Sequence, residues 1–429
     1  MPGKPNILFI ITDQQYAGAM SCTGNPDLHT PAMDSLAATG MRFERAYCTH
    51  PLCAPCRASF ITGTMPHTNG SISNNTPIKE MYKGKSIANL LHHAGYTCAL
   101  AGKWHVAGAT PEEMGFEVLC GTRDDVIPQK SIDFLKRDHL QPFFLMASFT
   151  NPHDICQVAR NQPLPQGTVP EPASIADCPN LPANFPIQPY APDMLQLLRQ
   201  TSPRIYPTLE FTEDDWRRLR FLYYRLVEKV DAEIGRLLTG LRDQGLDENT
   251  VIIFTSDHGD GHSAHNWNQK TALYEECIRI PFIVSQKGVT KQGINTRHLI
   301  SQGLDLFPTL CNYAGIDVPT ELMGLNFRSL AEGKTAPSWR DQLVVETEID
   351  IGTGPGGPGA SRAVITDRYK YSIYPMGRYR EQLVDLHTDP GEMVNLAVNT
   401  RYNPILNTHR QFLRTYCEQT DDPFKKMCL

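Results

Sequence analysis

Five short apolar runs, each closed by a polar cluster, constrain this chain more than any other feature. They are Ile7–Thr12, Thr97–Ala101, Phe143–Phe149, Thr250–Thr255 and Phe282–Val284. Runs this short and this apolar read as strands buried on both faces, the pattern of a parallel sheet. Helical patterns lie between them. Thr30-Pro31 reads as a cap with proline at the first helical position, followed by Met33, Leu36 and Ala37 on one face. Ser86–His93 reads as a helix closed by Gly95. The longest pattern starts at Thr212, where Thr212 and Asp215 suit a capping box. It continues with Leu219, Leu222, Leu226, Val230, Ile234, Leu237 and Leu241 at spacings of three and four, and stops at Gly245. Strands alternating with helices imply an α/β fold with a large, mainly parallel sheet sandwiched by helices.

Two stretches break the alternation. Residues 160–207 hold eleven of the 33 prolines with little periodicity, which predicts an extended surface excursion walling a cleft. From about residue 340, Gln342–Glu348, Ser361–Thr366, Lys370–Tyr374 and Gln382–Asp385 read as short antiparallel strands, with a glycine-rich loop at Gly352–Gly359. The expected organisation is a main α/β domain over 1–339 and a small C-terminal α+β subdomain over 340–429. A length of 429 residues suits one large domain with such an appendage.

Composition narrows the function classes. A net charge of −6 argues against a broad nucleic-acid surface, though not against a local basic pocket for an anion. No apolar run reaches the roughly 20 residues a membrane helix needs. Asn6–Ile11 is too short to be the core of an export signal. A native Met1 implies the cytoplasm; a trimmed signal implies the periplasm or secretion. The twelve cysteines are scattered without repeated spacing, so a mostly reduced set is expected. Oligomeric state is not legible.

Ligands of open α/β sheets bind beyond the carboxyl ends of the strands, and polar clusters stand there in this sequence. Asp13-Gln14 follows the first run, Lys103-Trp104-His105 the second, Asn151-Pro152-His153-Asp154 the third and Ser256-Asp257-His258-Gly259-Asp260 the fourth. Taken singly, each has a plain structural reading as a turn, a helix cap or a solvated charge. Together, two carboxylates, an amide oxygen and an imidazole suit one divalent cation. Two lysines with further histidines suit a tetrahedral oxyanion.

One stretch sharpens this. Cys53-Ala54-Pro55-Cys56-Arg57, followed by Thr62-Gly63, resembles the C-x-P-x-R signature of the type I sulfatases in the alkaline phosphatase superfamily. The resemblance extends to Pro5-Asn6-Ile7-Leu8 with Asp13, to Gly102-Lys103-Trp104-His105, to Pro152-His153, to Asp257-His258-Gly259 with Lys270 and Tyr274-Glu275-Glu276, and to Leu383-Val384-Asp385-Leu386. It implies an alkaline-phosphatase-like fold and a formylglycine-dependent sulfatase, with Cys53 oxidised to formylglycine by a formylglycine-generating or anaerobic sulfatase-maturing enzyme. It also implies one divalent cation held by Asp13, Gln14, Cys53, Asp257 and His258, with calcium favoured and manganese or magnesium the alternatives. By the same resemblance Arg57 holds the modified side chain, and Lys103 and Lys270 neutralise sulfate oxygens. His153 protonates the leaving alcohol, and His105 takes a proton from the sulfated gem-diol. A small sulfated substrate, most simply a saccharide, is expected, with His265, Arg362 and Arg378 as substrate-binding residues. No nucleic-acid or membrane partner is expected.

The sequence departs from the commoner pattern at Asp13-Gln14, where many members have two aspartates; the neutral amide removes one negative charge from the cation site. Asp-Gln pairs also occur in phosphonate monoester hydrolases and choline sulfatases, so a phosphonate or phosphate ester hydrolase is the alternative. The Lys103-x-His105 pair argues for the sulfatase.

Overall fold

The computed structural model describes residues 3–201, 207–336, 338–349 and 359–428. Eight strands form the main sheet, in the spatial order Glu117–Cys120, Thr97–Gly102, Phe143–Pro152, Asn6–Asp13, Thr250–Ser256, Phe282–Ser285, Met41–Phe43, Gly293–Asn295. The first five run parallel, with Ile7 opposite both Phe144 and Val251. Asn6–Asp13 is therefore a central strand, and its side chains alternate between two cores. Ile7, Phe9 and Ile11 enter one; Leu8 and Ile10 enter the other. Full burial of such side chains contributes roughly 1.5–3 kcal/mol each, and both faces of this strand are fully used.

Phe282–Ser285 differs from expectation. It runs antiparallel to both Thr250–Ser256 and Met41–Phe43. An apolar run buried on both faces specifies depth but not direction, so its composition held no sign of the reversal.

The long helix spans Glu213–Asp243 and carries the expected capping box: Thr212 Oγ1 accepts from the Asp215 backbone N–H, and Asp215 accepts from the Thr212 N–H. The helix Pro31–Thr39 is capped from elsewhere. The Thr30 hydroxyl bonds Ser21 and Asp34, while Asp231 of the long helix accepts from the Ala32 and Met33 N–H groups at 3.0 and 2.9 Å. A buried carboxylate thus serves the positive end of a neighbouring helix.

The excursion contains a helix, Asp193–Thr201, whose Met194, Leu195 and Leu198 are buried; proline density had hidden it. The C-terminal strands form a separate antiparallel sheet in the order Gln342–Glu348, Ala360–Thr366, Tyr369–Ile373, Glu381–Asp385. Against it packs the helix Asn403–Gln419, through Leu406, Leu413 and Cys417. The predicted loop at 352–359 lies, except for Gly359, outside the described residues. All twelve cysteines are free thiols. No helix among the described residues is long and apolar enough to cross a membrane.

Candidate active site

Strand register brings the carboxylates together. Thr12 pairs with Ser256, so Asp13 and Asp257 leave adjacent strands at the same height, and the Asp257 N–H donates to the Thr12 carbonyl. Facing them is the helix Cys53–Thr62, which begins at Cys53 itself. One turn on, Arg57 drops between the two aspartates and is 0% exposed. Its Nε lies 2.9 Å from Asp257 Oδ2 and its Nη2 3.1 Å from Asp13 Oδ2, while Nη1 donates to the Lys103 carbonyl and the Ser148 hydroxyl. The planar guanidinium thereby fixes three strand ends at once.

Lys103 reaches Asp13 Oδ2 at 2.6 Å. The chain turns toward it at Gly102, whose φ is +106° and whose missing Cβ makes room for the Ser148 carbonyl; a side chain there would meet both obstacles. Around the Cys53 sulfur stand Lys270 Nζ at 3.1 Å, His258 Nε2 at 3.3 Å and Asp13 Oδ1 at 3.7 Å. His105 and His153 also stand beside Cys53. Burial opposes ionisation of the thiol, but Lys270, then Lys103 and His258, hold it well below its usual range. A site that stabilises a buried thiolate so strongly is built for a negative charge at that position. Burial raises the Asp13 carboxyl, as does Cys53, yet Lys103, His153 and Arg57 outweigh them and keep it well below the carboxylate range. Burial and Lys270 bring His153 down to about 4.

These residues also fit a cation. Asp13, Cys53, Asp257 and His258 each bring a ligand atom within 4.8 Å of the others. His258 Nδ1 lies 2.8 Å from the Gly259 carbonyl and donates to it, which leaves the Nε2 lone pair facing the carboxylates. Acceptors crowded in this way call for a proton or a metal ion. Accordingly, burial and Asp13 push the Asp257 carboxyl up, and His258 is pushed up against burial by Asp257 and Cys53. Two of the four donors are hard carboxylate oxygens, in keeping with a divalent cation.

Gln14 has a left-handed backbone, φ +72°. Its amide nitrogen donates to Asp260 at 2.6 Å, and its oxygen accepts from the Cys156 thiol at 3.5 Å. Sequence reasoning assigned no role to Asp260, Cys156 or Ser148. Asp260 stood in a noticed cluster, but nothing in the sequence paired it with a residue 246 positions away.

Residues 5–316 match the sulfatase family, and residues 263–419 match the C-terminal region of N-sulphoglucosamine sulphohydrolase. The chain belongs to the sulfatase family. A Delta 4,5-hexuronate-2-O-sulfatase of Bacteroides thetaiotaomicron is 29% identical over 458 residues, covering 99% of this chain and 91% of that protein. The solved structure of a 2-O GAG sulfatase superposes with a TM-score of 0.88 at 27% identity, over 99% of this chain and 94% of that one. A phosphonate monoester hydrolase of Agrobacterium radiobacter shares the fold at 22% identity, with a TM-score of 0.81 over 97% and 96% of the two chains. Family membership implies a divalent metal and a formylglycine.

Two expected substrate contacts of this sulfatase need correction. Arg362 is 2% exposed and spends its guanidinium on Asp422 through two 2.8 Å hydrogen bonds, with Glu346 at 3.9 Å. A guanidinium this deep is held by carboxylates and is out of reach of a saccharide. His265 is stacked on Tyr274 at 4.0 Å and groups with Glu276 and Glu392, not with the Cys53 cluster. Its backbone φ of +53° turns it that way, one of six left-handed non-glycine residues between His262 and Thr271. Arg378 is exposed at the seam between the excursion and the C-terminal sheet. Its guanidinium lies over Tyr379, and its N–H donates to Asp193.

Proposed function

We propose that this sulfatase hydrolyses a sulfate ester on a sulfated carbohydrate, using a formylglycine made from Cys53 and a calcium ion. The observation that carries the reading is the Cys53 sulfur held at a helix start with Lys270 at 3.1 Å and His258 at 3.3 Å. That environment suits an anionic nucleophile meeting an anionic ester. Asp13, Gln14, Asp257 and His258 would hold the cation beside residue 53. Bound there, it would supply Lewis-acid stabilisation of sulfate oxygen and lower the nucleophile's pKa.

The remaining work falls to side chains of this chain. Arg57 locks Asp13 and Asp257 in register under the nucleophile. Lys103 and Lys270 balance the sulfate charge as it is transferred. His153 donates a proton to the departing sugar oxygen, and His105 accepts the proton released when residue 53 is regenerated. The negative ester entering beside His153 opposes the influence of Lys270 and favours the protonated ring. The excursion over 160–207 and Arg378 form the wall that meets the sugar. Conversion of Cys53 requires a formylglycine-generating or anaerobic sulfatase-maturing enzyme in the producing cell.

The carbohydrate reading draws support from the named activities of the hexuronate and GAG sulfatases. The test is a panel of defined sulfated mono- and disaccharides, with an aryl phosphonate alongside. Converted protein should release sulfate from at least one saccharide, and its Cys53 peptide should be about 18 Da lighter than the thiol form, as conversion of a thiol to an aldehyde requires. Cys53→Ala should remove turnover and keep the fold. Substantial turnover by that variant, or preference for the phosphonate, would overturn the proposal.

A further inference from the structure

A second buried cluster lies where the loop carrying Lys270 meets the excursion and the C-terminal sheet. His265, Glu276 and Glu392 each bring a ligand atom within 4.8 Å of the other two. We propose that these three residues form a second divalent-cation site, of the nitrogen-and-oxygen type that suits zinc.

The first support is unspent polar capacity. His265 is 1% exposed, and neither of its ring nitrogens has a hydrogen-bond partner among the described residues. Glu276 Oε1 accepts from Asn184 Nδ2 at 2.9 Å while its Oε2 accepts nothing. Glu392 Oε2 accepts from the Glu275 N–H at 2.6 Å, and its Oε1 faces the Lys370 ammonium at 2.6 Å. Glu276 is thus oriented by one oxygen and offers the other, whereas Glu392 would share its Oε1 between Lys370 and the ion. Leaving both nitrogens of a buried imidazole unmet is unfavourable, and ligation of one relieves it.

The second support is charge. Three carboxylates, Glu275, Glu276 and Glu392, share two cations, Lys370 and Arg279. One negative charge is left over inside the protein. One imidazole with two carboxylates favours zinc over calcium, which prefers oxygen throughout.

The location gives the site a purpose. The His265 N–H donates to the Asn184 carbonyl, and Asn184 Nδ2 also reaches the Gly391 carbonyl. An ion here would tie the excursion, the C-terminal segment and the strained loop that delivers Lys270 to Cys53. The competing arrangement is a proton on Glu276 donated to His265, which fills the same cluster without metal.

Zinc counting separates the two. Full-length chain is stripped with chelator, dialysed against Zn2+ and analysed by inductively coupled plasma mass spectrometry. The background is Asp257→Asn, which disables the site beside Cys53. In that background one zinc per chain is expected, and none after adding Glu276→Gln, an isosteric change whose side-chain oxygen still accepts from Asn184. In parallel, the otherwise unaltered chain should hold one zinc more than the Glu276→Gln single variant, with circular dichroism verifying that both are folded. Equal zinc with and without Glu276→Gln in both comparisons overturns the site and leaves the shared proton as the occupant.

Discussion

Replacing Arg57 by methionine tests the logic of the active-site floor. The methionine fills most of the volume but leaves Asp13 and Asp257, both 0% exposed, without the guanidinium between them. Asp13 keeps Lys103 at 2.6 Å. Asp257 keeps only the backbone N–H groups of Gln14 and His258 and the neighbouring His258 ring. Breaking a buried pair by removing one partner costs about 3–5 kcal/mol. The lost bonds to the Lys103 carbonyl and Ser148 add about 1 kcal/mol each, and retained Lys103 offsets part of the total. A net loss of about 4 kcal/mol corresponds to nearly a thousandfold shift toward the unfolded state. Equilibrium urea denaturation in chelator should show it as a lowered midpoint. The sharper readout is Arg57→Met combined with Asp257→Asn, which removes the stranded charge. That pair should recover roughly 1–3 kcal/mol relative to additivity. A single-variant loss below about 1 kcal/mol, the scale of an exposed ion pair, or strict additivity in the double variant, would refute the reasoning.

Two further outcomes follow from the same geometry. His153→Ala should lose about a hundred- to ten-thousand-fold on a sulfated sugar, whose leaving oxygen needs a proton, and far less on nitrophenyl sulfate; equal losses on both would remove the general-acid role. His67 carries a pH signature. Burial lowers its pKa, but Glu346 and then Asp422 raise it above the usual imidazole range. Its contribution to stability is therefore complete below about pH 6.5 and fades as the pH rises through the raised folded value. Thermal melts between about pH 6 and 9 should show the unaltered chain declining with pH more steeply than His67→Gln, and parallel curves would count against the assignment.

The parallel half of the sheet was legible because double-sided burial writes a continuous apolar run, as in Ile7–Thr12 and Phe143–Phe149. The capping box at Thr212 was legible because its two partners are three residues apart. What escaped notice depends on distant partners. Asp231 caps a helix 199 residues earlier in the chain, and Asp260 holds Gln14 across 246 positions. Proline density concealed the helix Asp193–Thr201, since prolines flank it without entering it. The proposed metal and nucleophile residues stood out in the sequence as strand-end clusters and by family resemblance. His265 and Arg362 were misjudged because a basic residue in an active-site loop or a late strand looks alike whether it faces solvent or buried carboxylates.

One carboxylate far from the active site is no ornament. Asp422 is 0% exposed and supplies both oxygens to Arg362, with His67 at 3.8 Å. Replacing Asp422 by alanine would leave the main sheet and every proposed catalytic residue in place, with a guanidinium sealed inside the protein short of the carboxylate that holds it. The strain of about 3–5 kcal/mol is a large share of a domain's usual margin of 5–15 kcal/mol. Such copies would open more often and be cleared sooner by cellular proteases.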